Sequence, residues 1–275
     1  MIDPTLSGRT IAVPETRELD VFCAMLERRG ARVVRCPLVA ILDAPEPQPV
    51  LDWIRRFNDS NFDDLVLLTG EGLRRLLSCI DRLAPQLREG FVLELGRIRK
   101  ITRGPKPAKA LRELGLKPDI AAEIPTTAGV IDSLRQEDLA GRRIAVQLYG
   151  AEPNVALLDF LREAGAIPTA VAPYVYADKT DDATVRALLT QMSQGAVDVI
   201  AFTSSAQVDR LFAVGPEELV RKAFERTAVA AVGPVVAENL TRRAIDVRFM
   251  PQDSFFMKPL TSTLENSLGP ASSGR

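Results

Sequence analysis

At 275 residues, with 46% hydrophobic residues and a formal net charge of −1, the chain suits two modest globular domains with real cores. Lys and Arg are scattered among acids rather than pooled, which excludes a nucleic-acid footprint, and no apolar run approaches a membrane span or a signal peptide. Histidine is absent, which removes His triads, His general bases and His metal ligands together and leaves acid–base work to carboxylates, Lys, Tyr, hydroxyls or water. The three cysteines, Cys23, Cys36 and Cys79, have no metal spacing and fit a reduced, cytoplasmic setting.

Taken in order, Ile11 to Val13 reads as a first strand, and Leu19, Phe22, Cys23 and Leu26 as the inner stripe of a helix stopped by Gly30. Arg32 to Cys36 is a second strand. Pro37 to Pro49 holds four prolines and is expected to be an extended linker rather than helix. A short helix follows over Val50 to Phe57, then a strand and a Thr-led elbow at Thr69-Gly70-Glu71-Gly72. Leu83 to Gly96 is expected to be helical and Ile98 to Ile101 a strand. Arg103-Gly104-Pro105-Lys106 opens the next helix, with Pro well placed in its first turn. A short strand, Asp119 to Ala121, precedes a helix start with Thr caps at Pro125-Thr126-Thr127-Ala128-Gly129.

Ile144 to Leu148 begins a similar series. Its helix runs from Asn154 to Ala164, and Ala170 to Tyr176 is extended, a second candidate crossing between domains. A helix around Leu188 follows. Val199 to Phe202 has the β-branched and aromatic content of a buried strand. Thr203, Ser204 and Ser205 place hydroxyls where a helix should start, and Val208, Leu211 and Phe212 continue it at helical spacing. A helix near Leu219, a strand over Val229 to Val232 entering Gly233-Pro234, and a last helix after Ser254-Phe255-Phe256 complete the chain. The tail from Asn266 to Arg275 is expected to be disordered.

Blocks recur at a period of about 130 residues, far longer than a solenoid unit, so they mark two copies of one domain. Gly8 to Val13 returns as Gly141 to Val146, the Thr69 elbow as the Thr203 elbow, and Thr102 to Leu111 as Ala231 to Leu240. Alternating strands and helices predict parallel sheets covered on both faces. A tandem would split near residue 140. The two linkers favour another arrangement: residues 1–38 plus 175–265 as one discontinuous domain, 41–170 inserted as the other, and 266–275 as a tail. Each half then keeps a five-stranded flavodoxin-like set, the fold class being α/β with two such domains joined by a two-stranded connector acting as a hinge. Strand-to-helix elbows carry unpaired N–H groups that receive oxyanions, which suggests a ligand held between the halves.

Together these blocks, over residues 8–264, resemble uroporphyrinogen-III synthase. The residues that carry the resemblance are Leu68-Thr69-Gly70-Glu71-Gly72, Arg103-Gly104-Pro105-Lys106, Pro125-Thr126-Thr127, Gln147-Leu148-Tyr149-Gly150, Pro173-Tyr174, Phe202-Thr203-Ser204-Ser205 and Val232-Gly233-Pro234. Each is a short Gly, Ser or Thr turn; the specificity lies in their order and spacing. The resemblance implies a cytoplasmic, monomeric enzyme with no metal or organic cofactor, acting in tetrapyrrole synthesis. Its substrate would be hydroxymethylbilane, a linear tetrapyrrole with eight carboxylates, and hydroxymethylbilane synthase a transient partner. Loss of the hydroxyl leaves an azafulvene, ring D is inverted through a spiro intermediate, and the macrocycle closes.

Carried over residue by residue, the resemblance assigns Tyr174 to the departing hydroxyl. It assigns Thr69 and Gly70, and Thr203, Ser204 and Ser205, to cleft elbows, Arg103, Gly104 and Lys106 to a phosphate-loop-like turn, and Gly233 to its copy. Thr126 and Thr127 match a carboxylate-binding helix start, and Arg17 is a weaker match. Two departures stand out: Val232 replaces the charge of Arg103 in the repeat, and Val235 and Val236 follow Gly-Pro where many relatives have a hydroxyl. Each residue also has a plainer role open to it. Thr203 to Ser205 serve equally well as helix caps, Arg17, Arg103 and Lys106 as surface charges, and Tyr174 as packing in the connector. The rival functions are a non-enzymatic two-domain sensor for a small anionic ligand and a two-domain glycosyltransferase, for which the chain is short and lacks a nucleotide fingerprint.

Overall fold

Short apolar strands alternate with helices through the residues that the computed structural model describes, 5–150 and 153–268. In chain order these are β1 (Thr10–Val13), α1 (Leu19–Glu27), β2 (Arg32–Arg35), β3 (Val39–Asp43), α2 (Pro47–Asn58), β4 (Asp64–Leu67) and α3 (Gly70–Leu83). A 3-10 turn at Pro85–Leu87 leads to α4 (Arg88–Arg97), β5 (Arg99–Thr102), α5 (Pro105–Arg112), β6 (Ile120–Ala121), α6 (Thr127–Leu134), β7 (Arg143–Gln147), α7 (Val155–Glu163), β8 (Ile167–Val171) and β9 (Tyr174–Asp178). The rest comprises α8 (Asp182–Ser193), β10 (Val199–Phe202), α9 (Ser205–Val214), α10 (Glu217–Arg226), β11 (Ala228–Ala231), α11 (Pro234–Thr241) and α12 (Met257–Leu268). The chain divides into two units, Met1–Ala40 with Ala177–Arg275, and Ile41–Tyr176. Among the described residues no helix is long and apolar enough to cross a membrane.

The first unit holds a parallel sheet of order β11-β10-β1-β2, registered through Ile11 opposite Val33 and Val199, and Ile200 opposite Val229. A single parallel bridge, Ala230 to Phe249, extends its edge. With Phe249 counted as a fifth position, the order from the β2 edge is 2-1-3-4-5, the flavodoxin-like arrangement. The fifth strand expected from the sequence is thus reduced to a bridge. Pro251, two residues on, has no N–H to continue the ladder.

The second unit holds five parallel strands in the order β6-β5-β4-β7-β8. Read in chain order from the β6 edge, that is 3-2-1-4-5; read as though the chain began at β7, it is again 2-1-3-4-5. The two units share one arrangement, circularly permuted in the second. Successive residues of β4 and the position after it serve opposite faces: Leu65 and Leu67 join a core with Trp53, Phe57, Phe62 and Phe91, while Val66 and Leu68 join one with Ile101, Val146 and Leu157. A sheet buried on both faces needs such near-continuous apolar strands.

Two expectations are corrected. Pro37 to Pro49 is not a linker throughout: β3 occupies Val39–Asp43, and α2 begins at Pro47, inside it. Pro47 and Pro49 fall in the first helical turn, where a missing N–H costs no intrahelical bond. At the far end, Asn266 to Leu268 belong to α12, and the remainder of the expected tail lies outside the described residues. Strands β3 and β9 form a separate two-stranded sheet.

Candidate functional site

The sequence-derived residues of the second unit sit at the carboxyl edge of its sheet, where open parallel α/β sheets present ligand turns. Thr69 follows β4 and caps α3, its hydroxyl accepting from Gly72 N–H at 2.9 Å. The same Oγ1 lies 3.3 Å from the Tyr174 hydroxyl. Its backbone N–H donates to Gln147 Oε1 at 3.1 Å. Gly70 and Gly72 are glycine for lack of room. A Cβ on Gly70 would lie 2.6 Å from the Lys106 carbonyl oxygen, and one on Gly72 only 1.9 Å from Gln147 Nε2. Helices α3 and α5 therefore approach closely, which brings the Thr69 and Arg103 turns together.

Arg103 follows β5, its guanidinium carbon 4.8 Å from the centre of the Tyr149 ring. Enclosure by protein lowers its pKa below the ordinary arginine value, and the neighbouring Tyr149, Tyr174 and Tyr176 act in the opposite sense. Gly104 has φ of 155° and a Cβ there would lie 2.5 Å from the Pro125 Cβ. Only glycine fits that turn, and Pro105 then starts α5. Lys106 is exposed on the first turn of α5. Thr126 caps α6 by accepting from Gly129 N–H at 3.1 Å, and Thr127 accepts from Asn154 Nδ2 at 3.2 Å. Tyr174, on β9, is fully buried and meets Tyr176 edge to face at 5.6 Å. Burial pushes its phenol pKa up, against hydrogen bonds with Thr69 and Tyr176 and the charge of Arg103. The phenol therefore stays protonated well into alkaline pH. Thr69, Arg103, Tyr149, Tyr174 and Tyr176 make one polar cluster in this unit, with the half-buried Arg103 guanidinium over the Tyr149 ring.

The remaining residues belong to the first unit and again follow strand ends. Thr203 is buried after β10, and its hydroxyl bonds Glu15 Oε2 and accepts from Gln207 Nε2, the latter at 2.8 Å. Gln207 Oε1 accepts from the N–H groups of Thr203 at 2.8 Å and Ser204 at 3.3 Å. Ser204 and Gln207 thus form a capping box for α9. Ser205 Oγ reaches the Val235 carbonyl at 3.4 Å. Gly233 caps α11 in an extended conformation, with Phe255 so close that a Cβ would lie 2.8 Å from its Cβ. Arg17 is exposed, and its N–H, with that of Thr16, donates to Glu15 Oε1 at 3.0 and 2.9 Å.

Sequence reasoning missed the side chains that hold these elbows. Gln147, fully buried, braces Thr69; Gln207 and Glu15 brace Thr203. The spacing Ser204-x-x-Gln207 was a readable capping-box signal, whereas Gln147 and Glu15 reach their partners across the sheet and left none. The three cysteines are free and buried, and burial pushes the Cys36 thiol up to about 11, so it is no nucleophile at neutral pH.

Comparison with known proteins gives the family and the fold. The family described as "Uroporphyrinogen-III synthase HemD" matches residues 20–262. A Bacillus subtilis protein of uncharacterised activity, YjjA, is 32% identical over 252 residues, 90% of this chain and 92% of that one. The crystal structure of a mutant uroporphyrinogen III synthase from Thermus thermophilus superimposes with a TM-score of 0.73 at 26% identity, covering 94% of this chain and 97% of that one. The uroporphyrinogen-III synthetase of Helicobacter pylori shares the fold at a TM-score of 0.53 and 14% identity, covering 92% and 97%.

Proposed function

We propose, from the premise that the chain belongs to the uroporphyrinogen-III synthase family, that it cyclises hydroxymethylbilane to uroporphyrinogen III with inversion of ring D and loss of water. The observation that carries this reading is the Thr69–Tyr174–Arg103 cluster at the carboxyl edge of the second sheet. A substrate that ionises readily asks the protein mainly to fold and position it. Its carboxylates suit the first-turn N–H groups of α3, α5 and α6 in the second unit and the guanidinium of Arg103; the first unit offers the same kind of donor at α9 and α11. Glu15 and Gln207 already occupy the N–H groups of Thr16, Arg17, Thr203 and Ser204. A carboxylate reaching those turns must displace them or use the N–H groups further along α9.

Tyr174 is the proton donor in this reading. Its phenol is protonated at neutral pH, as an ordinary tyrosine is, burial raises its pKa further, and Thr69 Oγ1 lies 3.3 Å from it. As the substrate's C–O bond breaks, the leaving oxygen takes a hydrogen bond or proton from the phenol and departs as water. Because Tyr174 is fully buried here, substrate entry has to uncover it. A reducing cytoplasm suits the buried, unpaired thiols.

The test is to supply freshly made hydroxymethylbilane and separate the III isomer from the I isomer that forms spontaneously. Predominance of the III isomer is expected. Formation of the I isomer alone, at the rate seen without protein, would overturn the reading and leave an anion-binding sensor in its place.

A further inference from the structure

Helices α3 and α9 are copies of each other, and each carries an arginine six positions after its N-cap: Arg75 after Thr69, and Arg210 after Ser204. Both arginines turn away from the elbow to grip the same kind of target. Arg75 donates from Nη1 to Asp43 Oδ1 at 2.9 Å, from Nη2 to the Ile41 carbonyl at 3.0 Å, and from Nε to Glu71 at 2.8 Å. Arg210 donates from Nη2 to the Thr180 carbonyl at 3.0 Å and to Asp182 at 2.7 Å, and its Nε lies 2.9 Å from Asp178 Oδ1 as an ion pair. Asp43 is the last residue of β3, and Asp178 the last of β9. In the second unit Arg75 holds β3 through Asp43 and the Ile41 carbonyl; in the first, Arg210 holds the end of β9 through an ion pair to Asp178 and the chain just after it through the Thr180 carbonyl and Asp182. The side chains are 25% exposed for Arg75 and 10% for Arg210, while Asp43, Asp178 and Asp182 are 37%, 65% and 55% exposed, so each grip has a sheltered guanidinium and a solvated carboxylate.

We propose that Arg75 and Arg210 are a duplicated pair of positioning residues that fix the two connector strands to the elbow helices, and so hold Tyr174 in place for the reaction. Tyr174 begins β9, four residues before the aspartate that Arg210 grips. Strand β3, gripped by Arg75, is the partner of β9, and the helix doing the gripping starts at Thr69, which touches the Tyr174 hydroxyl. Arginine suits the task because its planar fork bonds a carboxylate and a carbonyl at once, which a lysine cannot. The consequence for turnover rests on the reaction proposed above; the mechanical claim does not.

Two measurements separate them. Hydrogen exchange by mass spectrometry on the free protein compares wild type with Arg75→Ala, Arg75→Lys, Arg210→Ala and Arg210→Lys. Peptides spanning 39–44 and 173–180 should exchange about tenfold faster in the alanine forms and measurably faster in the lysine forms. Amides of β4 and β10 should stay at wild-type rates. Arg186→Ala is the control, since Arg186 meets Asp182 only at 3.9 Å on an exposed face; it should change nothing. Should an alanine form fail to fold, Asp43→Asn and Asp178→Asn loosen the same grips from the strand side and are read the same way. Unchanged exchange in the connector strands, or equal acceleration everywhere, overturns the proposal.

The second measurement is turnover with hydroxymethylbilane. Loosened grips should lower kcat and the ratio of III to I isomer while KM stays near wild type. Faster strand exchange with unchanged kcat and isomer ratio would refute the positioning role. If wild type itself makes no III isomer, the reaction reading fails, and the exchange data still decide whether the arginines hold the strands.

Discussion

Tyr174 shows how one side chain acquires a role from its surroundings. A tyrosine next to proline in an extended stretch is a packing residue by default. Here its hydroxyl meets Thr69 Oγ1 at 3.3 Å, and burial raises its pKa above the ordinary tyrosine value. Replacing Tyr174 by Phe removes the hydroxyl with its bonds to Thr69 and Tyr176, while Thr69 keeps its bond to Gly72 N–H. Turnover should fall on the order of 100-fold, while stability changes by about 1 kcal/mol. Steady-state kinetics beside a thermal melt check both, and wild-type turnover in the phenylalanine form would end the proposed role. At this scale the sequence pointed to most of the turns but not to their braces. Thr69 was legible as a cap because caps are local; Gln147, whose Oε1 accepts from Thr69 N–H at 3.1 Å, acts over a long loop of chain.

Among the elements, the opening turn of α5 is constrained both by its backbone and by a neighbour. Gly104 holds φ of 155°, and Pro125 stands where a side chain would go. Gly104→Ala should destabilise the protein by roughly 1–3 kcal/mol, read as a lower urea midpoint at unchanged slope. A neutral result would mean that the Arg103 turn is not held as described. The corresponding turn before α11 is extended at Gly233, so there the constraint is Phe255 rather than the backbone. That difference fits the loss of charge from Arg103 to Val232: the two copies keep the same helix start with different surroundings. Pro47 teaches the same lesson for α2. Proline density suggested a linker, but prolines confined to a first helical turn leave the helix intact.

For the whole molecule, the paired strand orders record how the copies are joined. The second unit runs as though its chain began at β7, so one continuous segment, Ile41–Tyr176, makes a complete sheet, while the first unit needs both ends of the chain. Many of the surface carboxylates are arginine-bound. Hydrogen bonds from Arg143, Arg74 and Arg29 hold the pKa values of Asp63, Glu113 and Glu265 below the ordinary carboxylate range. A depressed folded-state pKa contributes stability that is present above the unfolded value and lost as pH falls through the folded one. Thermal midpoints should therefore hold down to about pH 5 and drop below about pH 4. A midpoint that rises on acidification would contradict these pairings.

By itself the sequence determined the alternation of strand and helix, the duplication and the elbow caps, because each depends on neighbours within a few residues or on direct repetition. Only tertiary structure decided the permuted strand order, the burial of Tyr174 against Thr69, the stacking of Arg103 on Tyr149, and the grips of Arg75 and Arg210. Those contacts join residues far apart in the chain. Their partners are chosen by which strands lie side by side, and the pattern of apolar and polar residues along any one segment does not encode that choice.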